Sequence, residues 1–369
     1  MTDNLKRHKR SLIEQLKKIL PADQLLSSLE DLKPYECDAL SAYHALPLAV
    51  ALPDSTEQLK QILSVCYENE IPVVARGAGT GLSGGALPLE DGLLLSLAKF
   101  NRIVSIDRNN FSAVVQPGVR NLAISEAVKD LGLYYAPDPS SQIACSIGGN
   151  VAENAGGVHC LKYGLTVHNI LKLKILTIEG EEITIGCDAL DSPGYDLLAL
   201  LTGSEGLLAI ITEITVKLLP LPTMAKVLLA SFDDVAVAGQ AVSDVISSGI
   251  IPAGMELMDN AAINAADDFV HAGYPRDAAA ILLCEVDGSE QEVEDQLNQA
   301  KETLKLSGAT HIEVAADEAQ RAQFWAGRKA AFPAVGRLSP DYYCMDGTIP
   351  RHQIASVLNR INELSEEYG

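Results

Sequence analysis

Apolar residues near the start of the chain recur at helical spacing, at Leu12, Ile13, Leu16, Ile19 and Leu20, and predict an amphipathic helix. A strand follows at 48–52, and Pro53-Asp54-Ser55 leads into a helix that carries Ser55 and Gln58 at capping-box spacing. Leu59, Ile62, Leu63 and Cys66 lie on one face of it, so it packs on the sheet that receives the apolar run 71–74. Hairpins are predicted at 103–107/112–116, around Arg108-Asn109-Asn110, and at 171–178/182–185, around Glu179-Gly180. A helix at 120–131 lies between them, and a short helical patch at 197–201 precedes a strand at 208–218. The prolines of Leu219-Pro220-Leu221-Pro222 end this region.

From Lys226 the pattern alternates regularly. Strands are predicted at 227–232, 252–258, 279–286, 311–314 and 341–349, with helices at 234–247, 260–266, 290–306, 317–331 and 351–367. Two βαβ-like halves side by side imply a second domain, an antiparallel sheet covered by helices on one face.

The stretch ARGAGTGLSGG at 75–85 has five glycines in eleven residues and follows a buried strand. Backbone without Cβ atoms turns through positive φ and approaches a ligand closely, so its N–H groups can converge on an anion. Arg76 would add a fork of donors, and Thr80 and Ser83 hydroxyls. The alternative is a plain surface loop. Gly79-Thr80-Gly81-Leu82-Ser83-Gly84 fits the G-x-G-x-x-G spacing, but no helix follows it: after Ala86-Leu87-Pro88 comes the strand-like run 92–97. No Gly-Lys-Ser/Thr follows either, which excludes a P-loop, so the loop is expected to hold phosphate between strands. A second stretch, PDPSSQIACSIGGNVAENAGG at 137–157, is rich in small residues and suits the opposite wall of such a cavity, or else a tightly packed glycine turn. Glu205, within Thr202-Gly203-Ser204-Glu205-Gly206, is either a solvated turn carboxylate or an acceptor for a ribityl or ribose hydroxyl.

At 369 residues, 47% hydrophobic and 21% charged, the chain has room for two cored domains. A net charge of −21 argues against nucleic acid or an anionic membrane as a direct partner, while a few local arginines could still hold a small anion. The first helix lacks a cleavage signal, and no apolar run reaches the ~18 residues of a membrane span. Seven cysteines without a C-x-x-C suggest reduced thiols in the cytoplasm.

Taken together, the 75–85 loop, the 137–157 segment with Lys162-Tyr163-Gly164, and Gly203-Ser204-Glu205-Gly206 resemble the vanillyl-alcohol oxidase/p-cresol methylhydroxylase (PCMH) superfamily, over nearly the whole chain. Phe324-Trp325-Ala326-Gly327-Arg328-Lys329 and Tyr342-Tyr343-Cys344-Met345-Asp346-Gly347 favour the branch containing FAD-linked subunits of bacterial glycolate oxidases, close to D-lactate and D-2-hydroxyglutarate dehydrogenases.

The resemblance implies an α+β fold: an N-terminal helical segment at 1–47, a PCMH-type FAD-binding domain at 48–222, and a ferredoxin-like cap at 223–369. It implies that Arg76, Gly77, Ala78, Gly79, Thr80, Gly81, Leu82 and Ser83 lie on the FAD pyrophosphate. Pro137, Asp138, Ser141, Gly148, Gly149, Asn154 and Gly157 would follow the flavin and ribityl chain, and Glu205, Gly206 and Ile211 would lie near the adenine and ribose. Arg328 would meet the substrate carboxylate, a partner that suits a guanidinium, although a surface helix arginine is the alternative. The loop has no histidine for a covalent flavin link, and His159 and Cys160 fit that role weakly, so non-covalent FAD is expected.

Such relatives continue past the cap into a histidine-rich metal-binding segment and a returning piece of the flavin domain. A chain stopping at Gly369 is therefore expected to be C-terminally incomplete, and its histidines show no ligand spacing, so no metal is expected. The implied activity is oxidation of a small 2-hydroxy acid to the 2-oxo acid. Electrons would pass to partners, a second FAD-binding-type subunit and an iron–sulfur subunit, and on to quinone at the inner membrane periphery. A nicotinamide-dependent dehydrogenase and a non-catalytic companion subunit are the other classes weighed.

Overall fold

The computed structural model describes residues 3–189, 194–339 and 341–368, with side chains from residue 9. The fold is divided into two compact units, Met1–Gly157 with Gly164–Leu221, and Val158–Tyr163 with Pro222–Gly369.

In the first unit a four-stranded sheet runs in the order Leu25–Leu26, Ala49–Ala51, Leu93–Ser96, Val73–Arg76. Its last three strands are parallel. Strands of this kind read as unbroken apolar runs because both faces are covered. Ala49, Ala51, Leu93 and Leu95 meet Leu59, Ile62, Leu63 and Cys66 of the helix Thr56–Glu68, while Val50 and Leu94 turn to the other face, against Leu32. The N-terminal helix Asp3–Leu16 and the turn after it add Leu12, Leu16 and Leu20 to the first of these cores. Ser55 caps the helix Thr56–Glu68 by accepting from Gln58 N at 3.4 Å, and the Gln58 side chain reaches back to Asp54 N at 2.9 Å.

The unit's second sheet is antiparallel, in the order Ile103–Asp107, Ser112–Val115, Ile210–Lys217, Ile170–Leu176, Glu182–Gly186. Both expected hairpins form. The helix Asn121–Val128 brings Ile124 and Val128 to this sheet's core, and the helix Ile147–Glu153 brings Ile147 and Val151.

The second unit is built on an antiparallel sheet in the order Gly254–Asp259, Ala280–Gly288, Met224–Phe232, His311–Val314, the strand order of a ferredoxin-like fold. The sheet is covered on both faces rather than the one expected. Leu228, Ala230, Phe232, Leu282, Cys284 and Val286 face the helices Val235–Ser247 and Glu290–Leu306, whereas Val227, Leu229, Ile281 and Leu283 face Asn260–Val270 and Glu318–Lys329. The reason is visible in the two central strands, which are apolar at odd and even positions alike. A second correction concerns 341–349, which forms no strand. Its run Tyr342-Tyr343-Cys344-Met345 has strand-like composition but pairs with no strand among the described residues, and Tyr343 and Met345 are exposed. The segment leads instead into the helix Ile354–Tyr368.

Candidate cofactor and substrate sites

The glycine-rich loop leaves the carboxyl end of the strand Val73–Arg76, beside the parallel strand Leu93–Ser96, the end of an open parallel arrangement where ligands bind. Two positions explain why glycine is required. A Cβ on Gly77 would lie 2.1 Å from Ser146 Oγ, so the loop backbone rests directly on the start of the helix Ile147–Glu153. Gly79 has φ +71°, and a Cβ there would meet Arg76 Nη2 at 2.3 Å.

Arg76 is therefore beneath the loop. Its Nη1 donates to Cys37 O at 2.7 Å and Ala86 O at 3.3 Å, and its guanidinium lies 5.7 Å from the centre of the Tyr35 ring. Burial lowers its pKa and the Asp38 carboxylate works against that. An arginine so placed remains charged at neutral pH, closes the loop's two ends together and puts positive charge under its backbone.

The amides from Gly77 through Gly85, including those of Ala78, Thr80, Gly81, Leu82 and Ser83, donate to no protein acceptor among the described residues. Backbone donors left in this condition are matched by water or by a ligand. The far end of the loop is held by Ser83 Oγ, which donates to Glu153 Oε2 at 3.0 Å. Burial raises the Glu153 pKa against the lowering effect of that hydrogen bond, with Glu205 and Asp38 adding to the rise.

The other motif residues of this unit gather around the same helix. Glu205, in the left-handed region at φ 54°, donates its amide to Ala152 O at 2.8 Å, and Gly203 donates to Val151 O at 2.8 Å. A Cβ on Gly206 would sit 3.6 Å from Ala75, and one on Gly85 would sit 3.2 Å from Glu205 Oε2. Gly148 donates to Pro117 O at 2.8 Å and Gly149 to Ser146 Oγ at 3.3 Å. Asn154 ends the helix at φ 49° and accepts from Val167 N at 3.0 Å. Gly157 lies against the backbone of buried Asp138, the Ser141 carbonyl accepts from Ala144 and Cys145, and the Pro137 carbonyl accepts from Asn121 Nδ2 at 3.0 Å. Ile211 sits in the core of the antiparallel sheet. The loop, the 137–157 segment and the 203–206 turn thus converge within one unit, and small residues, unengaged amides and flanking carboxylates fit the pyrophosphate and hydroxyls of a dinucleotide.

Within the 137–157 segment, two contacts were not anticipated from the sequence. Ser146 had a readable signal, a serine three residues before Gly149 at a helix start. The buried pair Asn121 Nδ2 to Asn150 Oδ1, at 2.9 Å, joins residues too distant in sequence to be matched by eye.

The second unit carries a polar strip on one sheet face. Glu285, 1% exposed, is met by Arg321 Nη2 at 3.0 Å, by His159 Nε2 at 3.2 Å and by the Trp325 indole N–H. Burial works to raise its pKa, but the His159 hydrogen bond and the charge of Arg321 hold it below the usual carboxylate range. Two residues on, buried Asp287 takes Tyr163 Oη at 2.7 Å and pairs with Lys162. Arg328 stands near the end of the helix Glu318–Lys329, its Nε on Glu256 Oε2 at 2.7 Å. Among the described residues its Nη1 and Nη2 donate to no protein acceptor. No group of three or more His, Cys, Asp or Glu among the described residues is placed to hold a metal, and no helix among them is long and apolar enough to cross a membrane.

Comparison with known proteins gives two family matches, an FAD binding domain over residues 47–186 and the C-terminal domain of FAD linked oxidases over residues 221–369. The glycolate oxidase subunit GlcD of Escherichia coli K12 is 62% identical over 358 residues, covering 97% of this chain and 72% of that protein. The subunit of the same name from Bacillus subtilis is 40% identical, covering 90% and 71%. A D-lactate dehydrogenase of Anaerostipes hadrus is 33% identical, covering 96% and 76%. Among solved structures, an alkyldihydroxyacetonephosphate synthase superposes with a TM-score of 0.78 at 17% identity, covering 97% of this chain and 75% of that one. A p-cresol methylhydroxylase with substrate bound gives 0.71 at 17%, covering 88% and 70%.

Proposed function

Because this chain belongs to the family of FAD-linked oxidases, we propose that it binds FAD without a covalent link and oxidises a small 2-hydroxy acid, glycolate or D-lactate, to the 2-oxo acid. The observation that carries the reading is the run of unengaged amides from Gly77 through Gly85 at the carboxyl end of a parallel strand. These amides, with the charge of Arg76 beneath them, hold the pyrophosphate, and the Thr80 and Ser83 hydroxyls bound its path. Pro137, Asp138, Ser141, Gly148, Gly149, Asn154 and Gly157 line the flavin and ribityl chain, while Glu205, Gly206 and Ile211 flank the adenosine half, with Glu205 accepting from a sugar hydroxyl. FAD, when bound, takes up the electron pair withdrawn from the substrate's Cα.

Arg328 anchors the substrate carboxylate, since its two terminal nitrogens offer the paired donors that a carboxylate accepts. Relatives named as oxidase subunits support a place in a complex of more than one subunit; within that reading, electrons leave through a second FAD-binding-type subunit and an iron–sulfur subunit.

The test is anaerobic bleaching of the bound flavin by a panel of 2-hydroxy acids. Glycolate or D-lactate should bleach it, and a flavin that no member of the panel reduces would sink the assignment. Arg328→Ala should raise KM at least about tenfold with flavin content unchanged. Loss of flavin with substrate affinity kept would show the role to be misassigned.

A further inference from the structure

Resting on the reading of Arg328 as the carboxylate anchor, we propose that Glu256 is a positioning residue that selects which edge of the Arg328 guanidinium the substrate meets. Arg321, Trp325 and Arg328 are four and then three residues apart on the helix Glu318–Lys329 and share one face. The first two are fixed by the buried carboxylate of Glu285, which sets the helix's rotation above the sheet. Glu285 pairs in register with Gly254, and Glu256 lies two residues along that neighbouring strand, so both carboxylates point to the same face. Arg328 therefore arrives opposite Glu256.

A long side chain at 29% exposure has rotational freedom that the helix alone does not remove. Glu256 removes it by taking Nε. A guanidinium can meet a carboxylate either through Nε with one terminal nitrogen or through both terminal nitrogens. With Nε engaged, the first edge is closed, and Nη1 with Nη2 presents the second. The Nε contact is a hydrogen bond as well as an ion pair, and a neutral amide oxygen at the same place would preserve the orientation.

Steady-state kinetics of the FAD-loaded protein with glycolate and D-lactate test this, using Arg328→Ala, Glu256→Ala, Glu256→Gln and the double alanine variant. Glu256→Ala should raise KM about ten- to hundredfold with kcat changed less than about threefold and flavin content kept. Glu256→Gln should recover most of that loss, and Glu256→Ala should add nothing once Arg328 is alanine. If Arg328→Ala raises KM but Glu256→Ala does not, or if the two losses multiply, the positioning role is wrong while the anchor stands. If glutamine is as damaging as alanine, charge rather than orientation is what Glu256 supplies, and the proposal fails. If Arg328→Ala leaves KM unchanged, the anchor reading falls and this one with it. Should Glu256→Ala lose its fold, seen as a lower Tm and lost flavin, the comparison of Glu256→Gln with wild type decides: a KM within about threefold supports positioning, and a rise like that of Arg328→Ala overturns it.

Discussion

Gly77 and Ser146 lie 69 positions apart in sequence, yet a single methyl group would bring them into collision, with Cβ 2.1 Å from the serine oxygen. Gly77→Ala should cost about 1–3 kcal/mol through overpacking and deplete bound flavin, because the loop must lift from the helix that backs it. Flavin absorbance per protein and the thermal midpoint report both effects. Ser146→Ala alone removes a helix cap worth about 1 kcal/mol, but combined with Gly77→Ala it relieves the clash, so the pair should be less damaging than the sum. An alanine at 77 with full flavin and an unchanged midpoint would contradict the packing described. That a glycine is needed at 77 was legible as part of a glycine-rich run; that its neighbour is a serine from another segment was not.

At the scale of elements, the strand Ala280–Gly288 carries two acids, Glu285 and Asp287, on the face that Ile281 and Leu283 line with hydrocarbon. Removing one partner of such a buried pair is costly, so Glu285→Ala should destabilise the protein by about 3–5 kcal/mol in urea unfolding. The pH dependence follows from the direction of the shift. Glu285 is depressed in the folded state, so its stabilisation is complete above the ordinary glutamate value of 4.5 and is lost as pH falls from there through the lowered folded value, where the group is protonated in both states. The stability difference between wild type and Glu285→Gln should therefore shrink as pH falls from about 5 to about 3. A difference independent of pH over that range would show that the carboxylate's charge is not what Arg321 and His159 stabilise.

The helices of this unit were readable because each buries a face at a period of 3.6 residues, and its central strands because they are short apolar runs bounded by turns. Residues 341–349 show the limit of that signal: Tyr342, Tyr343, Cys344 and Met345 carry strand-like composition, but a strand exists only where another backbone accepts its hydrogen bonds.

For the whole molecule, a charge of −21 creates a field that opposes the approach of an anionic substrate, which the proposed anchor at Arg328 must overcome locally. Raising ionic strength from about 0.01 to about 0.1 M shortens the reach of that field from roughly 30 Å to roughly 10 Å. The value of kcat/KM for the 2-hydroxy acid should rise across this range, and a steady fall would mean that local cations, not the net charge, govern approach.

The chain by itself determined the classes of most of its elements, the glycine-rich loop between strands and the family, since these rest on periodicity and on short runs of residue types that survive as local information. Only tertiary structure decided that Arg76 lies under its loop with Nη1 on the Cys37 and Ala86 carbonyls, that helices cover both faces of the second sheet, and that Glu256 holds Arg328. Each of these depends on which distant groups a side chain meets once both are removed from water, and a pairwise contact of that kind leaves no periodic trace along the chain.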